Sequence, residues 1–172
     1  MWYMGGCETT YDSKAMTAPK TDLAAAPISL FIPCWPEYVA LCRLVIGALG
    51  ARDSLDAEVV ADLKVIVTEA CNCVLALAVG GAAAGASGGG EAEDAAAPGC
   101  SIRMDFDSRP GAFVISVLCP EKRALVGWLE ECDPLSEPGL GLTILKALTD
   151  EMVELDSEAE GTVLSLTKLL PA

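Results

Sequence analysis

The sequence predicts an α+β fold, a two-layer sandwich in which a mostly antiparallel sheet carries three helices on one face. Three observations predict it. Apolar residues recur at helical spacing in three long segments, 36–50, 56–79 and 139–150. A segment of period-two alternation, 101–107, leads into Arg109-Pro110-Gly111 and a short apolar run, 113–118, follows it, the pattern of a hairpin. The resulting order, β-α-α-β-β-α-β-β, lacks the strict alternation that builds a parallel sheet.

Residues 1–26 have no period and read as a disordered tail, which leaves 27–172 as a single domain long enough for one core. Ile28 to Ile32 is a strand stopped by Pro33. Pro36 suits the first turn of a helix, and Tyr38, Cys42, Val45, Ile46 and Leu49 then share a stripe that ends near Gly50. Asp56 is placed as the N-cap of a second helix, with Leu55 and Val60 as a hydrophobic staple. Its stripe is Val59, Leu63, Ile66, Ala70 and Leu77, and it is expected to end by Gly80. The Ala- and Gly-rich stretch 80–99 reads as a flexible loop.

From Ser101 to Asp107, Ile102, Met104 and Phe106 alternate with Arg103 and Asp105; the return strand is Phe113 to Leu118. An irregular segment then reaches Pro138. Gly139-Leu140-Gly141 forms a turn into the third helix, with Gly141, Ile144, Leu145 and Leu148 on one stripe. Val153 and Leu155 mark a fourth strand, and Gly161 to Leu169 a fifth. No internal repeat occurs.

Composition excludes several functions. The formal charge is −14, from 25 acidic against 11 basic residues, so nothing would replace the counterions of a nucleic acid. Such a surface fits a partner with a basic face, or simply keeps a protein in solution. The most apolar run, Ala70 to Ala86, is mostly Ala and Gly and holds Asn72, a poor membrane span. The N-terminus lacks the basic-then-apolar order of a signal peptide, so a cytoplasmic location is expected. In that compartment the eight cysteines are not expected to build a disulfide framework, and most of them suit small apolar packing. Cys71 and Cys73, two apart on a helix, point to nearly opposite faces and cannot share a metal. The chain has no histidine, which removes Ser-His and Cys-His catalysis, phosphohistidine chemistry and histidine-ligated zinc.

The Gly-x-Gly ahead of a helix lets backbone approach a ligand and offers free N–H groups to phosphate, though it serves equally as a tight turn. Three further segments set it in context. They are Ile32-Pro33-Cys34-Trp35-Pro36-Glu37-Tyr38-Val39 with Arg43-Leu44, Asp62-Leu63-Lys64-Val65-Ile66-Val67-Thr68-Glu69-Ala70-Cys71, and Gly161-Thr162 before a strand. With Pro138-Gly139-Leu140-Gly141-Leu142, Leu148 and Asp150-Glu151, this series resembles the anti-sigma-factor serine kinases. Those are bacterial members of the histidine kinase-like (GHKL) ATPase superfamily, which has the Bergerat fold.

The resemblance implies ATP and Mg²⁺ as cofactors, a sigma factor and an anti-anti-sigma protein as partners, a serine of the latter as phosphoacceptor, and a homodimer as one arrangement. Glu69 falls at the position of the catalytic base. The family's magnesium-binding asparagine lies four residues on, where this chain has Cys73, a soft ligand; Asn72, one residue earlier, is the candidate metal ligand and nucleotide contact. Gly139, Leu140, Gly141 and Leu142 take the place of the glycine box, and Thr162 that of the closing element. The Asp-x-Gly that bonds adenine is missing, because the return strand runs into Leu118-Cys119-Pro120, with Glu121 the nearest acid. The segment between Pro120 and Pro138 is also short for the family's lid. The expected function is an anti-sigma-like regulator working by partner switching, with ATP binding and kinase chemistry weakened or lost. The alternatives are an active ATP-dependent serine kinase and an unrelated α+β binding domain.

Overall fold

Side chains that alternate along five strands bury one face of a single sheet under helices. The computed structural model describes residues 27–85, 101–119, 125–157 and 161–171. The strands are β1 (Ile28–Pro33), β2 (Ser101–Arg109), β3 (Ala112–Cys119), β4 (Glu151–Ser157) and β5 (Gly161–Leu169). They lie in the order β1-β2-β3-β5-β4, with every neighbouring pair antiparallel. The alternation read in 101–107 holds, since Ile102, Met104 and Phe106 are buried and Arg103 and Asp105 are not. Phe113, Ile115, Val117, Leu164 and Leu166 extend the same buried face. In β4 the inward residues are Met152 and Glu154, whereas Val153 and Leu155, which mark the strand in the sequence, project from the open face. An edge strand buries little on either side, so its apolar residues do not report which face is inside.

The helices are α1 (Val39–Arg52), α2 (Ala57–Gly85), α3 (Leu125–Glu131) and α4 (Glu137–Leu148), and a 3-10 turn at Pro36–Tyr38 precedes α1. That turn corrects one stripe: Tyr38 is exposed, and Val39 joins Cys42, Ile46 and Leu49 in the core. The staple residues Leu55 and Val60 both pack against the core at the start of α2. Helix α2 runs past Gly80 to Gly85, so the first residues of the expected loop are helical. The remainder of that stretch, 86–99, and the tail 1–26 lie outside the described residues.

Helix α3 was not expected; among the described residues it is a fourth, short helix beside the three long ones. Leu125 and Leu129 bury one side of it. Its first amides are satisfied from far along the chain, because the Glu154 carboxylate on β4 accepts from the N–H groups of both Leu125 and Val126. A helix of two turns whose cap comes from another strand leaves no local start signal.

Helix α2 is the spine of the helical layer and packs against α1, α3 and α4. Cys71 on it meets Cys42 of α1 and Met104 of β2 in a buried sulfur cluster, with Sγ–Sγ of 3.9 Å and Sγ–Sδ of 3.4 Å from Cys71. The Cys42 thiol is held below its ordinary pKa by its contact with the Cys71 sulfhydryl. Cys34 departs from the reading of the cysteines as packers, for it is disulfide-bonded.

Candidate functional site

Two helices meet closely at the site because glycine stands where they touch. Helix α4 begins at Glu137, with Ser136 as N-cap accepting from the Gly139 N–H at 3.3 Å, and Pro138 in the first turn. The Gly-x-Gly is therefore inside helix α4, at its third and fifth residues, rather than in a turn before it, and the helix ends at Leu148. Both glycines are buried. A Cβ on Gly139 would fall 2.2 Å from the Asp133 carbonyl oxygen and 2.9 Å from Pro134 Cα. A Cβ on Gly141 would lie 3.1 Å from Cys73 Sγ and 3.2 Å from Glu69 Oε2. Gly141 thus fixes the separation between α4 and the part of α2 that carries Glu69.

Beside this contact lies a cavity of about 490 Å³. The β1–α1 connection lines it with Cys34, Trp35, Pro36 and Glu37. Helix α2 contributes Glu69, Asn72, Cys73, Leu75 and Ala76, and the first turn of α4 Glu137 and Pro138. Glu69, Asn72 and Cys73 span little more than one helical turn, so all three reach the same wall.

Electrostatics here are one-sided. Among the described residues, the cavity wall carries three carboxylates and no lysine or arginine. Burial, followed by the nearby Glu137 carboxylate, raises the pKa of Glu69 above its ordinary 4.5. Burial also pushes the Cys73 thiol up to about 12, with the Glu69 carboxylate next in effect. Cys73 is therefore a protonated thiol at neutral pH. The oxygen donors around the cavity are Glu37, Glu69 and Glu137 and the Asn72 amide. Among the described residues, no three His, Cys, Asp or Glu side chains are grouped to hold one metal ion.

The candidate residues read from the sequence divide into two groups. Glu69 and Asn72 line the cavity, and Gly141 abuts Glu69. Leu142 is in the core, Gly139 packs on the Asp133–Pro134 backbone, and Leu140 is exposed. Thr162 is buried in β5, next to Gly161 at φ +111°, and is not part of the cavity wall. Glu37, Glu137 and Trp35 were missed as site residues. Each lies in or beside a quoted motif, yet no local pattern reveals that positions 37 and 137 face one cavity. No described helix is long and apolar enough to cross a membrane.

Comparison with known proteins agrees with this architecture. The family described as histidine kinase-like ATPase domain matches residues 32–168. The chain is 30% identical over 156 residues to the serine-protein kinase RsbW of Bacillus licheniformis, covering 86% of this chain and 88% of that protein. It is 30% identical over 151 residues to the serine-protein kinase RsbW of Bacillus pumilus, with 83% and 85% covered. The corresponding protein of Bacillus velezensis is 31% identical over 151 residues, with the same coverage.

Proposed function

We infer the function from the premise that this chain belongs to the histidine kinase-like ATPase domain family. We propose that it is an anti-sigma-type regulator that works by exchanging protein partners, a sigma factor and an anti-anti-sigma protein, with weakened Mg-ATP chemistry. The observation that carries this reading is the charge of the cavity at the glycine box. A triphosphate needs cationic or N–H-rich surroundings, and among the described residues the wall offers Glu37, Glu69 and Glu137 with no basic side chain. The start of α4, which would attract phosphate by its dipole, carries Glu137 in its first turn and has Ser136 already bonded to the Gly139 N–H.

The cofactor set is a poor match on the same grounds. Cys73 offers a protonated, soft sulfur where a hard oxygen donor is required, and the carboxylate that would bond an adenine amino group is absent from Leu118-Cys119-Pro120. What remains to the chain is a partner surface and, in Glu69, a carboxylate whose raised pKa suits proton exchange with a serine hydroxyl.

A second reading, an active serine kinase, is favoured by one observation. Asn72 lines the same cavity as Glu69, so an amide oxygen is at hand despite its displacement by one residue. Calorimetry decides between them. Weak or undetectable Mg-ATP binding, with capture of a partner protein and no serine phosphorylation, is the result expected. Micromolar Mg-ATP binding abolished by Asn72→Ala, with turnover abolished by Glu69→Gln, would move the active kinase to first place.

A further inference from the structure

We propose that the cavity beside Glu69 receives a basic side chain, arginine or lysine, of the protein partner, and that Glu37 and Glu137 select it. This rests on the reading above that the chain engages a serine-bearing protein, and it names the group that such a partner presents.

Three elements separated in sequence converge on the cavity: the 3-10 turn with Trp35 and Glu37, α2 with Glu69, and α4 with Glu137. Among the described residues, none of the three carboxylates is in an ion pair with a lysine or arginine. Glu69 and Glu137 instead repel one another, which adds to the effect of burial in raising the pKa of Glu69. An entering cation relieves that repulsion, whereas an entering phosphate adds to it.

The kind of cation follows from the geometry. A divalent metal needs several oxygens closing on one point, and no such group of side chains exists among the described residues. A guanidinium carries five N–H donors in a planar fork, so it bonds carboxylates that stand apart. Trp35 supplies the second half of the recognition. The residue is 44% exposed and lines the cavity wall, and an aromatic face attracts guanidinium or ammonium from above. A second, smaller hollow lined by Pro33, Trp35, Glu37 and Tyr38 shares two of these residues.

The test uses two probes that differ only in charge, N-acetyl-Arg-Ser-amide and the same peptide with citrulline in place of arginine. Each is titrated into the full chain while the indole N–H of Trp35, assigned with Trp35→Phe, is followed by NMR. The arginine peptide is expected to bind about tenfold more tightly than the citrulline peptide, and the contrast should shrink as salt rises. In the Glu37→Gln/Glu137→Gln double variant the two peptides should bind alike. If the double variant fails to fold, Glu37→Gln alone, on an exposed turn, should lose part of the contrast. Equal binding of both peptides to the unaltered chain overturns the proposal, as does an arginine preference undiminished in the variants. Capture of a serine-bearing partner without any arginine–citrulline contrast would overturn this inference and leave the function above standing. A contrast with no such partner would do the reverse.

Discussion

Replacing each glycine of the box by alanine separates its two structural duties. At Gly139 the new Cβ would sit 2.2 Å from the Asp133 carbonyl oxygen, more than an ångström inside ordinary contact, and the obstacle is backbone. That same oxygen accepts from the Ser136 N–H at 2.9 Å and from Ser136 Oγ at 2.6 Å, so pushing it aside also disturbs the cap of α4. Overpacking costs about 1–3 kcal/mol and a lost N-cap about 1 kcal/mol, while alanine in a helix returns about 1 kcal/mol. The net loss for Gly139→Ala is about 2 kcal/mol, or roughly 4–8 °C in Tm for a domain of this size. At Gly141 the neighbours are the ends of two side chains, Cys73 Sγ at 3.1 Å and Glu69 Oε2 at 3.2 Å, which yield by a few tenths of an ångström. Gly141→Ala should therefore stay within about 0.5 kcal/mol of the native chain while displacing the Glu69 carboxylate. Urea unfolding followed by circular dichroism measures both. A Gly139→Ala protein as stable as the native one, or equal losses at the two positions, would refute the packing argument.

The cap that Glu154 gives α3 makes a local prediction. Glu154→Ala should cost about 1 kcal/mol and speed amide hydrogen exchange in 125–131, leaving exchange in β2 and β3 unchanged. Glu69 makes a prediction about pH. Its folded pKa lies above its unfolded one, so the native state holds the proton more tightly and loses stability as pH rises from 4.5 through the raised value. Glu69→Gln should flatten that part of the stability curve and leave the variant more stable than the native chain at neutral pH. Glu137→Gln should do so in part, because the Glu137 carboxylate is the lesser cause of the shift. Unfolding midpoints measured at several pH values check both, and an unchanged slope in Glu69→Gln would contradict the assignment.

Much of this architecture was legible in the chain because its signals are local. Strict alternation in 101–107 and the turn at Pro110-Gly111 specify a hairpin, whose partners are near in sequence. The stripe Leu63, Ile66, Ala70 and Leu77 specifies the buried face of α2. The end of α2 was misplaced because glycine weakens a helix without forbidding it, and five residues beyond Gly80 remain helical. The bond at Cys34 left no mark in the sequence, since a disulfide depends on which backbones lie side by side.

The sequence by itself determined the layer order, the antiparallel sheet, the family and the position of Glu69, since each depends on residue type and short spacing. Only the tertiary structure decided that the box glycines lie inside α4, where Gly141 presses against Glu69, and that Glu37 and Glu137, a hundred positions apart, face one cavity. It likewise decided that a carboxylate on β4 starts helix α3. The physical reason is common to all three. Close approach, charge convergence and remote capping are properties of pairs brought together by the packed core, and periodicity along a chain carries information about one element at a time.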